Sequence, residues 1–273
     1  MPALRSPKAQ QGVPSGRASG HQRTISNRQT AIWLISIVLA FVVLWDLLTR
    51  LELVSPILLA PPSDVAAAFI ELCQAGYFWQ HVATTAREIA VGWAIAVASG
   101  IAVAWVSVRF RVVRRALFPY IIVIQALPKV VLLPIMTVAF GLGTGSTIAL
   151  IVISGFFPTF LNTFVGLTST DGGALKLLDS LGASSGQVLR YLRLPQALPL
   201  IMTGVQGSAT IACLAAIIGE FAGARFGLGY LINANAFSLR VDYVYAAIFA
   251  TSILSLVFFG AVTLLRKRLV TWE

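Results

Sequence analysis

The chain has 273 residues, of which 58% are hydrophobic and only 11% charged, with a formal net charge of +10. A water-soluble domain carries roughly 25% charged residues, so this composition excludes a fold with water on all sides and points to lipid as the solvent. The basic residues flank apolar blocks and form no aromatic-interleaved face, which excludes the usual nucleic-acid-binding surface.

Residues 1–30 are rich in Ser, Gln, Gly, Pro and Arg and almost without large apolar side chains. They cannot bury enough surface to fold and are expected to form a disordered tail. The apolar stretch that follows ends in no convincing cleavage site, so it reads as a retained first span and not as a signal peptide. Residues 31–273 then form one transmembrane domain. A helix needs about 20 mostly apolar residues to cross the hydrocarbon. Six stretches qualify, at about 31–48, 84–108, 116–140, 144–168, 195–219 and 243–265. The fold class expected is an all-α membrane protein of six helices. The run Gly141-Leu142-Gly143-Thr144-Gly145-Ser146 breaks the long uncharged region into spans three and four.

Between spans one and two, Pro61-Pro62-Ser63-Asp64 starts a short helix with Ser63 as the expected N-cap. Val65, Phe69 and Leu72 share one face of it. Fifteen of the 20 Lys and Arg fall in the N-terminal tail, in the loops after spans two and four and at the C-terminus. The opposite side holds only Arg50, Arg87, Arg225 and Arg240, with Lys129 inside a span. The positive-inside bias therefore puts both termini in the cytoplasm.

Ionisable residues inside a membrane usually mark function. Lys129 lies mid-span beside Pro128 and four residues from Gln125, and the two side chains can share a helix face. Lys129 reads either as a pathway cation for an anionic solute or as a structural lysine on carbonyls freed by Pro128 and Pro134. Glu220 ends span five and reads either as a gate at the outer mouth or as the partner of Arg225, the pair being preferred. Gln206 and Asn162 are expected to bond between helices. Gly204, Gly207, Ser208, Ala209 and Ala212 would let span five pack closely, along a pathway or a dimer seam. Gln125, Lys129, Gln206 and Glu220 are the candidates for a translocation path. His21 falls in the tail and His81 in an outer loop, Cys73 and Cys213 have no metal-ligand spacing, and the intramembrane acids are isolated. No catalytic site, metal site or cofactor is expected, which speaks against a membrane-embedded enzyme.

The loop 171–195 reads as two short helices. Asp171 caps the first, Gly182 forms the joint, and Ser184 with Gln187 makes a capping box for the second. Val188, Leu189 and Leu192 share one face of the second helix, Arg190 and Arg193 another, and Pro195 ends it and opens span five. Such a pair suits either a groove on a partner or a surface of lipid headgroups.

The frame Gly182-Ala183-Ser184 with Leu194-Pro195 resembles the EAA loop of ABC importer permeases. Lys176-Leu177-Leu178 stands where that family has Glu-Ala-Ala, which alters a charge contact to the ATPase. Leu59-Ala60-Pro61-Pro62-Ser63, Ala126-Leu127-Pro128-Lys129, Phe140-Gly141-Leu142-Gly143, Phe157-Pro158, Gly219-Glu220-Phe221 and Gly227-Leu228-Gly229-Tyr230 are similar to the same family, in order along nearly the whole chain. Together they resemble the subgroup importing taurine, aliphatic sulfonates, nitrate, bicarbonate or thiamine-precursor pyrimidines. The resemblance implies an inner-membrane permease of the type I importer kind, working by alternating access with a second, identical copy, a dimer of ABC ATPase subunits and an extracytoplasmic substrate-binding protein. The loop residues Lys176, Asp179, Gly182, Ala183, Ser184, Val188, Leu189, Leu192, Leu194 and Pro195 would then couple to the ATPase. The chain has no phosphate-binding GxxxxGK[ST] loop of its own. A stand-alone secondary transporter is the alternative, but no duplicated half is visible.

Overall fold

Proline and glycine punctuate the apolar sequence into eleven α-helices in the computed structural model, which describes residues 27–55 and 57–271. They are α1 (Asn27–Arg50), α2 (Pro62–Gln74), α3 (Gly76–Arg109), α4 (Arg111–Ala126), α5 (Leu133–Phe140), α6 (Thr144–Thr168), α7 (Gly172–Ser180), α8 (Ser185–Val188), α9 (Leu194–Phe221), α10 (Leu228–Phe237) and α11 (Val241–Leu269). There is no strand among the described residues. The expected tail lies outside them up to residue 26, and its last four residues already belong to α1. Among the described residues, those up to Leu44 form one unit and those from Trp45 onward a second.

Four helical stretches are long and apolar enough to cross a membrane: Gly76–Arg109, Thr144–Thr168, Ser185–Phe221 and Val241–Leu269. The pair Arg111–Ala126 and Lys129–Phe140 adds a fifth only if taken as one span bent by 99°. The sequence predicts one uninterrupted span here. Pro128 has no N–H and forces Leu127 into an extended conformation, φ −70° and ψ 135°. Lys129 therefore starts a 3₁₀ turn, Lys129–Leu132, instead of sitting mid-helix.

The centre of the second unit is a three-helix layer of α3, α6 and α9. Ile89, Leu150, Ile151, Ala212 and Ala216 pack at one level, and Leu167, Ala197, Ile201, Val205 and Ala209 at another. Small side chains set the spacing. A Cβ on Gly219 would meet the Thr147 backbone at 2.9 Å, so α6 and α9 touch almost main chain to main chain there. Gly204, Ser208, Ala209 and Ala212 are likewise buried within the chain. The small-residue face of α9 serves internal packing, where the sequence left a pathway or a dimer seam open. Asn162 also departs from expectation. Its Nδ2 donates to Pro158 O at 2.9 Å within α6, not to another helix. Gln206 does bond between helices: its Nε2 donates to Thr263 Oγ1 at 3.0 Å, and its Oε1 accepts from Arg266 at 2.8 Å.

Around this layer α2 and α10 pack against α11 through Ala68, Leu72, Leu228, Tyr243 and Ala246. The Tyr243 hydroxyl donates to the Glu71 carboxylate. Val65 and Leu72 are buried as the helical spacing predicts, but Ser63 is not the N-cap. Pro61 takes that place with Pro62 in the first turn, because proline is preset for helix entry. Trp45 donates to Ala60 O at 3.0 Å and stacks on Phe249, which fixes the start of the second unit on α11. Leu256 and Val257 on α11 are exposed, the arrangement expected where lipid replaces water.

Candidate functional site

Two regions at opposite ends of α9 stand out. The first is the loop between α6 and α9. Asp171 accepts from Gly173 N at 3.1 Å and Ala174 N at 3.2 Å, which caps α7. Gly182 has φ +72°, and its N–H and that of Ala183 bond back to Asp179 O and Leu178 O. This is the left-handed turn for which glycine carries no Cβ penalty. Ser184 N donates to Gln187 Oε1 at 2.7 Å and Gln187 N to Ser184 Oγ at 3.4 Å, closing the capping box read from the sequence.

The second loop helix does not end at Pro195. Leu189–Arg193 forms a π-turn in which Leu194 N donates to Leu189 O. The wider turn lets Pro195 enter without breaking the rod, since its missing N–H falls at the register shift. The result is continuous helix from Ser185 to Phe221, 37 residues, or about 55 Å at 1.5 Å per residue.

The ridge of Val188, Leu189 and Leu192 divides differently from expectation. Val188 is buried, Leu189 and Leu192 are half-buried. Val188 and Leu189 line a cavity of about 570 Å³ with Trp105 and Val108 of α3, Leu175 and Arg193. The large apolar side chains left exposed on the loop are Leu177, Leu181, Tyr191 and Leu194, with Lys176, Asp179 and Arg190 exposed around them. Leu177, Leu181 and Tyr191 are not among the loop residues expected from the sequence, because a face can be assigned inward or outward only once α3 is in place.

The second region joins α3 to the α9–α10 turn. Glu220 is buried, 1% exposed. Thr85 Oγ1 donates to its Oε1 at 2.6 Å, and Gly229 N donates to its Oε2 at 2.5 Å. That places a carboxylate at the start of α10, where the unpaired N–H groups favour it. The Thr85 hydroxyl also accepts Leu228 N at 2.8 Å, and His81 Nδ1 accepts Gly227 N at 2.9 Å. The His81 ring stacks on Tyr230 at 5.6 Å. Gly227 has φ +125°, and a Cβ there would fall inside the Glu220 carboxyl group. The preferred Glu220–Arg225 pair does not form. Positive-φ turns at Gly223 and Gly227 carry Arg225 to the exposed side while Glu220 turns inward. His81 is also placed differently, buried within α3 instead of in an outer loop, because that helix starts at Gly76, before its apolar block. Thr85 and Glu88 lie within the expected span 84–108 but are not among its expected site residues. The spacing 81, 85, 88 along one helical face was the available signal.

The remaining path candidates lie apart. Lys129 Nζ donates to Gln125 O at 3.0 Å and lies over the Phe157 ring at 5.7 Å. Gln125 is exposed, and Gln206 is engaged with α11. Among the described residues no group of three His, Cys, Asp or Glu could hold a metal ion.

Residues 95–271 match the family model described as "Binding-protein-dependent transport system inner membrane component". The formylaminopyrimidine transport permease protein of Halalkalibacterium halodurans is 31% identical, over 86% of this chain and 93% of that protein. The taurine transport system permease protein of Escherichia coli is 30% identical, over 90% and 91%. The fold is similar to a crystal structure of an amino acid ABC transporter with histidines. The TM-score is 0.57, with 19% identity, over 74% of this chain and 94% of that one.

Proposed function

This chain belongs to the family of binding-protein-dependent transport system inner membrane components, and from that premise we propose how it is arranged in the membrane and how it couples to ATP. As a permease subunit of an ABC importer it works with a separate ATPase and a substrate-binding protein, and ATP hydrolysis takes place outside this chain. It crosses the membrane six times, with α1 as the first span and the broken α4–α5 pair as the third. Both termini face the cytoplasm, as the placement of Lys and Arg indicates. Two copies form the path for a small solute, of the sulfonate, taurine, nitrate, bicarbonate or pyrimidine kind that the resemblance implies.

The loop 171–195 is the contact to the ATPase. The observation that carries this reading is the continuous helix Ser185–Phe221. It starts in the exposed loop and ends at the buried Glu220. Closing of the ATPase dimer on ATP would move the loop, and the continuous helix passes that displacement to the Glu220–Thr85–Gly229 junction at its far end. Opening or closing that junction with the loop is a two-state coupling of the kind alternating access needs.

The test is co-purification of the ATPase with the permease, comparing wild type and Gly182→Val. A β-branched residue at φ +72° costs roughly 1–2 kcal/mol and shifts the joint, while the site itself is open to a side chain. Loss of the ATPase with retained detergent-phase folding is expected. Undiminished binding in the variant would remove the loop from the contact.

A further inference from the structure

The cavity of about 570 Å³ between the loop 171–195 and α3 is lined by two arginines from different elements. Arg109 belongs to the last turn of α3 and Arg193 to the π-turn. Neither has a hydrogen bond or an ion pair among the described residues. The Arg193 Nε is buried, so the stem is held and the two terminal nitrogens carry the accessible donors. Asp179 lines the same cavity from α7 but pairs with neither arginine. Ser185 and Gly186 line it too. The capping box uses the N–H groups of Ser184 and Gln187, which leaves those of Ser185 and Gly186 without a partner among the described residues. Two unpaired guanidinium groups on one cavity repel each other and are stabilised by an anion between them. The rest of the α3 lining is apolar. Trp105 and Val108 lie in the turn before Arg109, and Trp105 is exposed. Along α3 the lining thus changes from apolar to basic over one helical turn, about 6 Å. An exposed tryptophan followed by an arginine is what a helix shows where it leaves the hydrocarbon.

We propose that this cavity holds the headgroup of an anionic phospholipid, with Arg109 and Arg193 on the phosphate oxygens and an acyl chain running past Trp105. This deepens the reading of the loop 171–195 and rests on that loop facing the cytoplasm at the membrane boundary. A guanidinium fork matches two phosphate oxygens, and basic pockets between spans on the cytoplasmic side suit lipid headgroups. A free phosphate would use the same two forks but would leave the apolar turn of α3 in water. A lipid satisfies both parts of the lining at once. Asp179 opposes any anion held there and so sets an upper limit on the affinity. A headgroup in this place ties the end of α3 to the start of the helix Ser185–Phe221 from the inner side. The exposed face with Leu177, Leu181 and Tyr191 stays open to the ATPase.

The test is lipid titration of the full-length permease in detergent, read by native mass spectrometry, with ATPase co-purification scored on the same preparation. The two results are independent, so loss of the coupling-loop reading and loss of this site are told apart. The probes are phosphatidylglycerol, phosphatidylcholine with the same acyl chains, and inorganic phosphate as competitor at constant ionic strength. Phosphatidylglycerol is expected to bind about tenfold tighter than phosphatidylcholine. Arg109→Gln with Arg193→Gln should abolish that preference, and Asp179→Asn should strengthen it severalfold. Arg109→Gln alone, an exposed side chain at a helix end, leaves the packing untouched and should already weaken the preference severalfold at an unchanged unfolding temperature. Three results would each overturn the proposal. The two lipids bind equally well to wild type, the double variant keeps the wild-type preference, or inorganic phosphate displaces phosphatidylglycerol, which would make this a site for free anions.

Discussion

Thr85 and Glu220, 135 residues apart in sequence, share a buried hydrogen bond of 2.6 Å. The same hydroxyl takes the Leu228 N–H, so one side chain of α3 holds both the end of α9 and the start of α10. Thr85→Val keeps the shape and removes the hydroxyl. It strands a carboxylate oxygen and a backbone N–H, each costing about 1–3 kcal/mol when buried. A drop in unfolding temperature of several degrees in detergent is expected, with Thr85→Ser close to wild type. Equal stability of the Val and wild-type proteins would show that the junction does not hold these helices together.

Gly227 makes the same junction possible from the other side. Its φ of +125° and the Glu220 carboxyl group in the space of a Cβ both exclude a side chain. Gly227→Ala is expected to cost several kcal/mol, among the larger single-site effects. Gly172→Ala, with nothing near a Cβ, should be within about 0.5 kcal/mol of wild type. Adding Glu220→Ala to Gly227→Ala relieves the collision but not the backbone strain. The double variant should therefore recover part of the loss, a coupling that a double-mutant cycle on unfolding temperatures reads directly.

Much of this organisation is written in local sequence. Glycine placed the break after Phe140, and the caps at Asp171 and Ser184 form as their spacing requires. What local rules cannot supply is the direction of a face. Val188 and Leu177 are equally apolar in sequence, but α3 stands behind the first and nothing covers the second. Glu220 and Arg225 are close enough in sequence to pair. The choice against pairing comes from Thr85 and Gly229, and Thr85 becomes a neighbour only after α3 has packed.

That difference between Leu177 and Val188 gives a direct test of the loop. If the ATPase docks on the exposed face, Leu177→Asp and Tyr191→Asp should each weaken its association tenfold or more, about 1.4 kcal/mol, without changing the thermal stability of the permease alone. Val188→Asp should behave in the opposite way. It buries a charge against α3 and unfolds the loop, so stability falls before ATPase binding can be measured. Pull-down titration of the ATPase against each variant, with unfolding temperatures alongside, separates the two effects. Unchanged association in both surface variants would place the contact elsewhere.

Lys129 is the cation that the sequence puts inside a span, and its geometry decides what to expect of it. Pro128 ends α4, so the carbonyls of its last turn lose their amide donors, and Lys129 Nζ supplies one to Gln125 O at 3.0 Å. The ring of Phe157 beneath it accepts the charge but is not an acid. The contact needs a donor more than it needs a cation. Lys129→Gln offers a neutral donor with a shorter reach, while Lys129→Met keeps the length and offers none. Solute uptake in proteoliposomes should therefore fall by no more than about twofold in Lys129→Gln. Lys129→Met should lower the unfolding temperature, since an orphaned carbonyl costs about 1–3 kcal/mol. A cation that meets an anionic solute in the pathway would give the reverse ranking: uptake abolished in both variants alike, with stability unmoved. The comparison thus distinguishes a lysine that completes a broken helix from one that touches the transported solute.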